Sequence, residues 1–268
     1  MVQDITFAVF TKPWKGMALP DLAAHVRSLG FEWIELPVRP GFPCEPERIE
    51  TALPEAVRVL GEEGVRVLNV TVDLPLTDER LYAACVKAGI TLNRVMFPRA
   101  EGENYWAAED RARKMLDAAL PLCEHYRFKI GVQNHSGLFV PVNAMGLHHL
   151  LEGYDPRLVG AVWDPAHNAL QGEEPEPALD IVSSHLAIVN LKNAFWQRVA
   201  LPGGEWAEWQ PTWCAGRDGL ASWPRVAARL KQMAYKGPVC FSAEYSAGQD
   251  VNRLLAADLA FARECFNG

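Results

Sequence analysis

The sequence contains no uncharged apolar run of the roughly 18 residues that a membrane-spanning helix needs, so no span is expected. Basic charge is also scarce, with 26 Lys and Arg against 33 Asp and Glu and a net charge of −7. A phosphate-backbone grip needs a basic face, so a nucleic-acid partner is not expected. The six cysteines, at 44, 85, 123, 214, 240 and 265, form no CxxC pair and keep no regular spacing. Neither a thiolate zinc site nor a disulfide framework follows from them, and reduced thiols in a cytosol are the plain reading. The opening MVQDITFAVF has no basic stretch of the kind that begins a secretory signal, which also points to the cytoplasm. No G-x-G-x-x-G follows the first apolar run, and no low-complexity linker divides the 268 residues.

What the chain does have is alternation. Short β-branched runs at 5–11, 33–38, 66–73, 92–97, 129–135, 158–164, 186–192 and 238–244 read as strands. Between them lie helical patterns at 19–29, 47–60, 80–87, 106–126, 144–151, 176–184, 223–233 and 251–266. Gly30, Gly64, Gly89 and Gly153 stand where helices end before the next strand. Eight such units in about 260 residues predict one α/β domain over 1–268, a single (β/α)₈ TIM barrel. The long stretch 194–220 reads as irregular.

A barrel of this kind carries its chemistry at the C-terminal ends of its strands. The residues found there are Lys12 and Trp14, Glu35, Asp73, then Gln133, Asn134 and His135. Asp164 and His167 follow, then Asn190, Lys192 and Asn193, and finally Glu244. The densest signal is GAVWDPAHNAL, which sets a carboxylate and an imidazole three residues apart at one strand end, with Pro165 stopping the strand. A plain helix N-cap is the rival account of Asp164. Glu244, a carboxylate in an apolar strand, calls for a partner or a cation. Glu35 either pairs with a basic residue in the barrel or touches a substrate hydroxyl. His135 is as readily a satisfied structural histidine as a functional one. Lys192 either holds a substrate oxygen or neutralises Asp164 and Glu244. His148 and His149, in mid-helix, read as surface and packing.

The D-P-x-H segment and the layout around it resemble the sugar phosphate isomerase/epimerase superfamily, whose members share the xylose isomerase-like barrel. The resemblance implies metal ligands Glu, Asp, His and Glu on strands five to eight, with a substrate-binding His after the Asp. By position it implies Asp164 and Glu244 as ligands and His167 on the substrate. Two ligand positions depart from the pattern. Strand five reads VQNH rather than E-N-H, so Gln133 stands for a carboxylate. Strand seven reads NLKN rather than H-x-K-D, so Asn190 stands for the imidazole and Asn193 for the Asp.

Two carboxylates and two amide carbonyls, from Asp164, Glu244, Gln133 and Asn190, form an oxygen-rich set for Mn²⁺ or Mg²⁺ and a poor one for Zn²⁺. His135 turning toward the metal in place of Asn190 is a second geometry. The resemblance implies that epimerases use the strand-five and strand-eight glutamates on opposite faces of the substrate. Gln133 exchanges no proton near neutral pH, so single-base chemistry through Glu244 is expected. That means isomerisation of a sugar, sugar acid or cyclitol, or else β-elimination with His167 or His135 as the acid. His135, Lys192, Trp14 and Glu35 are the expected substrate contacts.

The alternative function is a barrel that has lost catalysis and binds a sugar-like ligand without metal. A relative of apurinic-site endonucleases would need a histidine-rich trinuclear zinc site, which the strand ends do not supply. Within 194–220 lie Trp196, Trp206, Trp209 and Trp213, four of nine tryptophans. They suit a lid against a sugar face or a packing surface for a second copy of the chain, the two readings standing level. Arg217 is a candidate for an anionic group.

Overall fold

The computed structural model describes residues 5–199, 203 and 206–267. Eight parallel strands close a barrel: β1 (Phe7–Phe10), β2 (Trp33–Val38), β3 (Arg66–Val72), β4 (Leu92–Val95), β6 (Lys129–Gln133), β8 (Val159–Trp163), β9 (Leu186–Leu191) and β12 (Val239–Phe241). Between β4 and β6, β5 (Phe97–Pro98) departs to pair with β7 (Phe139–Val140). Helices at Leu19–Ser28, Ile49–Glu62, Glu79–Lys87, Tyr105–Tyr126, Ala144–Leu151, Pro175–Val182, Trp223–Gln232 and Val251–Asn267 fall where the periodicity places them. The expected helix-ending glycines take the left-handed backbone, with φ of 92° at Gly30 and 78° at Gly64.

Strand periodicity sorts the side chains into two compartments. Val9, Ile34, Leu36, Ile130, Val132, Ala161, Trp163, Val189, Leu191 and Phe241 face the helices and form the main core. Ala8, Phe10, Val162, Ile188 and Cys240 form a smaller cluster inside the barrel. Successive side chains on a strand point to opposite faces. Glu35, Arg94, Gln133, Asp164, Asn190 and Lys192 therefore share the inward side with that smaller cluster. The interior is narrow: a Cβ on Gly131 would lie 2.8 Å from Val162 Cγ2.

Two features differ from the sequence expectation. The stretch 194–220 is not wholly irregular, because β10 (Asn193–Val199) and β11 (Glu208–Cys214) pair antiparallel. Two aromatic-rich runs flanking Gly203 and Gly204 are a hairpin signal, masked here by Pro211 and by polar residues on both strands. Residues 200–202, 204 and 205 of that stretch lie outside the described residues. A short helix, Pro165–Leu170, also follows β8 directly.

Candidate active site

Asp164 is the hub of the barrel mouth and is fully buried. Its Oδ1 accepts from the backbone N–H groups of Ala166 (3.0 Å) and His167 (3.2 Å), an N-cap on the short helix. Its Oδ2 accepts from Gln133 Nε2 (2.9 Å) and Asn190 Nδ2 (3.0 Å). Asn134 ties the two strand ends together, accepting from Asp164 N (2.8 Å) and donating to Asp164 O (3.1 Å). The cap and site readings of Asp164 are thus compatible. Burial pushes its carboxyl up to about 6 against the lowering pull of Lys192 and the hydrogen bonds.

Arg94 completes this layer and was not singled out from the sequence. Its Nε donates to Glu35 Oε1 (2.6 Å) and its Nη1 to Gln133 Oε1 (2.5 Å). The guanidinium also lies 4.8 Å from the Phe10 ring centroid. The signal was present, since an arginine inside a buried barrel strand needs a buried partner, and Glu35 is that partner.

Two imidazoles form the next layer. The His135 and His167 rings lie 3.7 Å apart and 35° from parallel. Ser136 N–H donates to His167 Nδ1 at 3.2 Å, so that nitrogen is an acceptor and Nε2 carries the proton. His135 Nδ1 faces the carbonyl of Ser136 at 2.8 Å, so it carries the proton and its Nε2 is bare. Burial, with Lys192 nearby, pushes His135 down to about 4 and holds His167 well below its ordinary value. His167 Nε2 is buried without a hydrogen-bond partner among the described residues, 4.0 Å from Asp164 Oδ2.

Lys192 joins the layers. Its Nζ donates to Glu244 Oε2 at 2.8 Å, stands 4.0 Å from Asp164 Oδ2, and lies 4.0 Å from the Trp213 ring centroid. Glu244 is the most accessible acid of the group, half-buried with 38% of its side chain accessible. Burial raises its carboxyl, but Lys192, Lys12 and His135 outweigh that and leave it below its usual range. Ala243, just before it, holds a left-handed backbone at φ 50°, unusual for a residue with a side chain, and this turn follows the last strand directly.

The other candidates are elsewhere. Trp14 donates to Asn252 (3.2 Å) and packs edge-on to His25, neither of them in the cluster. Asp73 pairs with Arg39 at 3.6 Å. Asn193 fixes the loop after β11, donating to Gly216 O and Ala221 O. Arg217 pairs with Glu264 and covers Phe261, and His149 bonds Glu109.

Residues 23–265 match the family described as the xylose isomerase-like TIM barrel. The chain belongs to that family. A comparison with curated proteins gave no match. Among solved structures, the chain is similar to apo 3-keto-D-glucoside 4-epimerase YcjR from E. coli, with 11% identity, 98% of this chain and 100% of that one covered, and a TM-score of 0.74. It is similar to the D-psicose 3-epimerase from Clostridium cellulolyticum H10 with D-tagatose, with 12% identity, coverage of 98% and 100%, and a TM-score of 0.75. A xylose isomerase-like TIM barrel protein from Mycobacterium smegmatis in complex with magnesium gives 16% identity, coverage of 99% and 98%, and a TM-score of 0.70. At these identities the likeness is one of fold.

The superfamily implies a divalent metal, which needs several free oxygen or nitrogen donors turned toward one point. The four expected ligand positions lie around Asp164 and Lys192, but their atoms face one another. Gln133 is oriented from both ends: a guanidinium only donates, so the amide oxygen faces Arg94 and the NH₂ faces Asp164. Both Asp164 oxygens already accept hydrogen bonds, and Glu244 holds an ammonium. Among the described residues Asn190 Oδ1 is buried without a partner, one free acceptor where a cation needs several. Among the described residues no group of three or more His, Cys, Asp or Glu is arranged to hold a metal ion. The residues as arranged do not fit a divalent cation.

Proposed function

We propose that the protein is an isomerase of a sugar, sugar acid or cyclitol, with Glu244 as its single proton-transferring base. The observation that carries this reading is the asymmetry of the mouth. Glu244 is an accessible carboxylate, while Gln133 is an amide locked between Arg94 and Asp164. An epimerase needs an exchangeable proton on both faces of the substrate carbon, and this arrangement offers one on one face. The two similar sugar epimerases, YcjR and the psicose 3-epimerase, support the carbohydrate class.

In the isomerase reading, Glu244 removes the proton from the carbon next to the carbonyl, and the C–H electron pair becomes the C=C of an enediolate. His167 Nε2–H and the Lys192 ammonium stabilise the oxygen that gains charge. That oxygen is protonated while the neighbouring hydroxyl gives its proton to His135 Nε2, which relays it. Glu244 then returns its proton to the former carbonyl carbon, so an aldose leaves as a ketose with atoms and charge balanced. A β-elimination needs the same base, with His167 donating to the departing hydroxyl, and is the second reading.

The test is turnover of an aldose, ketose and sugar-acid panel in D₂O followed by proton NMR. Isomerisation with solvent deuterium at the accepting carbon, falling at least about 1,000-fold in Glu244→Gln, is expected. C3 epimerisation of a ketose that survives in Gln133→Ala would overturn the reading. So would saturable sugar binding with no turnover, which would identify a non-catalytic sugar-binding barrel.

A further inference from the structure

The donor set that rejects a divalent cation has put protein cations in its place. We propose that this centre works without a divalent metal, and that Lys192, assisted by Arg94, supplies the positive charge a metal would bring to a substrate oxygen. The proposal concerns the resting centre and stands whether or not the chain isomerises a sugar.

Position is the first argument. Two carboxylates are the strongest ligands in the set, and the Lys192 ammonium stands between them, 2.8 Å from Glu244 and 4.0 Å from Asp164. The Trp213 ring covers the same ammonium at 4.0 Å, which adds a cation–π attraction at the spot. A divalent ion drawn to those carboxylates would meet a like charge already fixed there. With 5% of its side chain accessible, Lys192 has little room to withdraw.

The second argument is the amide clamp. Gln133 serves a buried cation on one side and a buried anion on the other, and reversing it would set NH₂ against guanidinium and oxygen against carboxylate. Arg94 is held against Glu35 as well, while its Nη2 has no hydrogen-bond partner among the described residues. That leaves one guanidinium edge for an incoming oxygen.

Charge balance is the third. Glu35, Asp164 and Glu244 face Arg94, Lys192 and Lys12, the last acting on Glu244 from the first strand end. Three anions meet two buried cations and the exposed Lys12. A divalent ion would leave a buried surplus of positive charge, which is costly at low dielectric.

The experiment is Mn²⁺ titration of the purified full chain, read by the EPR signal of free aqueous Mn²⁺, with Lys192→Gln and Asp164→Asn alongside. Wild type is expected to remove no Mn²⁺ from the free pool at this centre, and EDTA is expected to leave its unfolding temperature unchanged. Lys192→Gln, with its fold checked by circular dichroism, is expected to bind about one equivalent once the ammonium no longer guards the carboxylates. One equivalent bound by wild type and lost in Asp164→Asn would overturn the proposal. A folded Lys192→Gln that binds no Mn²⁺ would overturn the role given to Lys192. No substrate is present in this titration, so its outcome is separate from that of the turnover assay.

Discussion

His135 and His167 lie ring against ring, 3.7 Å between centroids and tilted by 35°, with their protons on opposite nitrogens. The single residue Ser136 imposes this, offering its N–H to one ring and its carbonyl to the other. The expected result is a ¹⁵N–¹H correlation spectrum with one neutral histidine protonated at Nε2 and one at Nδ1, both unchanged from pH 8 to pH 5. Both folded values are depressed, His135 to about 4, so the unfolded chain binds the extra protons between that pH and its own value near 6.5. Their contribution to stability is present above the unfolded value and is lost as pH falls. A ring that titrates near 6.5 in the folded protein would contradict the assignment.

Gln133→Glu restores the carboxylate that the superfamily pattern carries, and it should be harmful. The new carboxylate would sit where an NH₂ now donates to Asp164 at 2.9 Å, placing two buried anions side by side. Arg94 offsets part of this. A loss of about 2–4 kcal/mol at pH 8 is expected, shrinking toward pH 5 as the pair shares a proton. Urea unfolding at the two pH values measures it.

Ala243 holds φ at 50° immediately before the proposed base. Glycine adopts that conformation freely, so Ala243→Gly should change stability by less than about 1 kcal/mol. It should lower kcat several-fold with little change in KM, because the aim of Glu244 relaxes. Ala243→Val should cost about 2 kcal/mol or more, since a β-branched side chain fits poorly there. Equal stability of the two variants would remove strain from the account of this turn.

Asp258 supplies a pH signature away from the mouth. It accepts from Gly216 N (2.7 Å) and Tyr245 Oη (2.9 Å), and burial pushes its carboxyl up to about 6. An acid with a raised folded value binds its proton more tightly when folded. Its contribution to stability is therefore largest below the unfolded value near 4 and is lost as pH rises through 6. Asp258→Asn keeps an acceptor for Gly216 and offers a donor to Tyr245. Wild type minus variant should shift by about 1–3 kcal/mol between pH 4 and pH 7, the wild type losing ground as pH rises.

The barrel was legible because strand and helix periods are local properties. All eight barrel strands lie inside the expected segments, each end within two or three residues. The cluster was partly legible, since knowing the strand ends placed Glu35, Gln133, Asp164, Asn190 and Lys192 on one inward row. What a ligand-pattern reading lacked was Arg94, whose meaning depends on Glu35 and Gln133 at sequence separations of 59 and 39. Which way an amide faces is likewise set by partners from other strands. Trp14 illustrates the same limit: its position after the first strand is local, but its partners come from residues 25 and 252.

Asn193 shows how far a family pattern can mislead about one position. The superfamily carries Asp there, and Asn193→Asp therefore reads as a return to type. In this chain the side chain is fully buried and makes four hydrogen bonds. Its Nδ2 donates to Gly216 O and Ala221 O, both at 2.8 Å, and its Oδ1 accepts from Ala194 N and Ala221 N, both at 2.9 Å. A carboxylate keeps the accepting half and turns the donating half into an anion facing two carbonyls. The expected cost is about 3 kcal/mol or more, smaller at pH 4, where a protonated acid recovers one donor. Gly219 packs so closely that a Cβ there would lie 2.1 Å from Asn193 Oδ1, which leaves no space to rotate away. Thermal unfolding of Asn193→Asp at pH 4 and pH 8 measures the difference, and a variant as stable as wild type at pH 8 would show that the loop after β11 is not held through this residue.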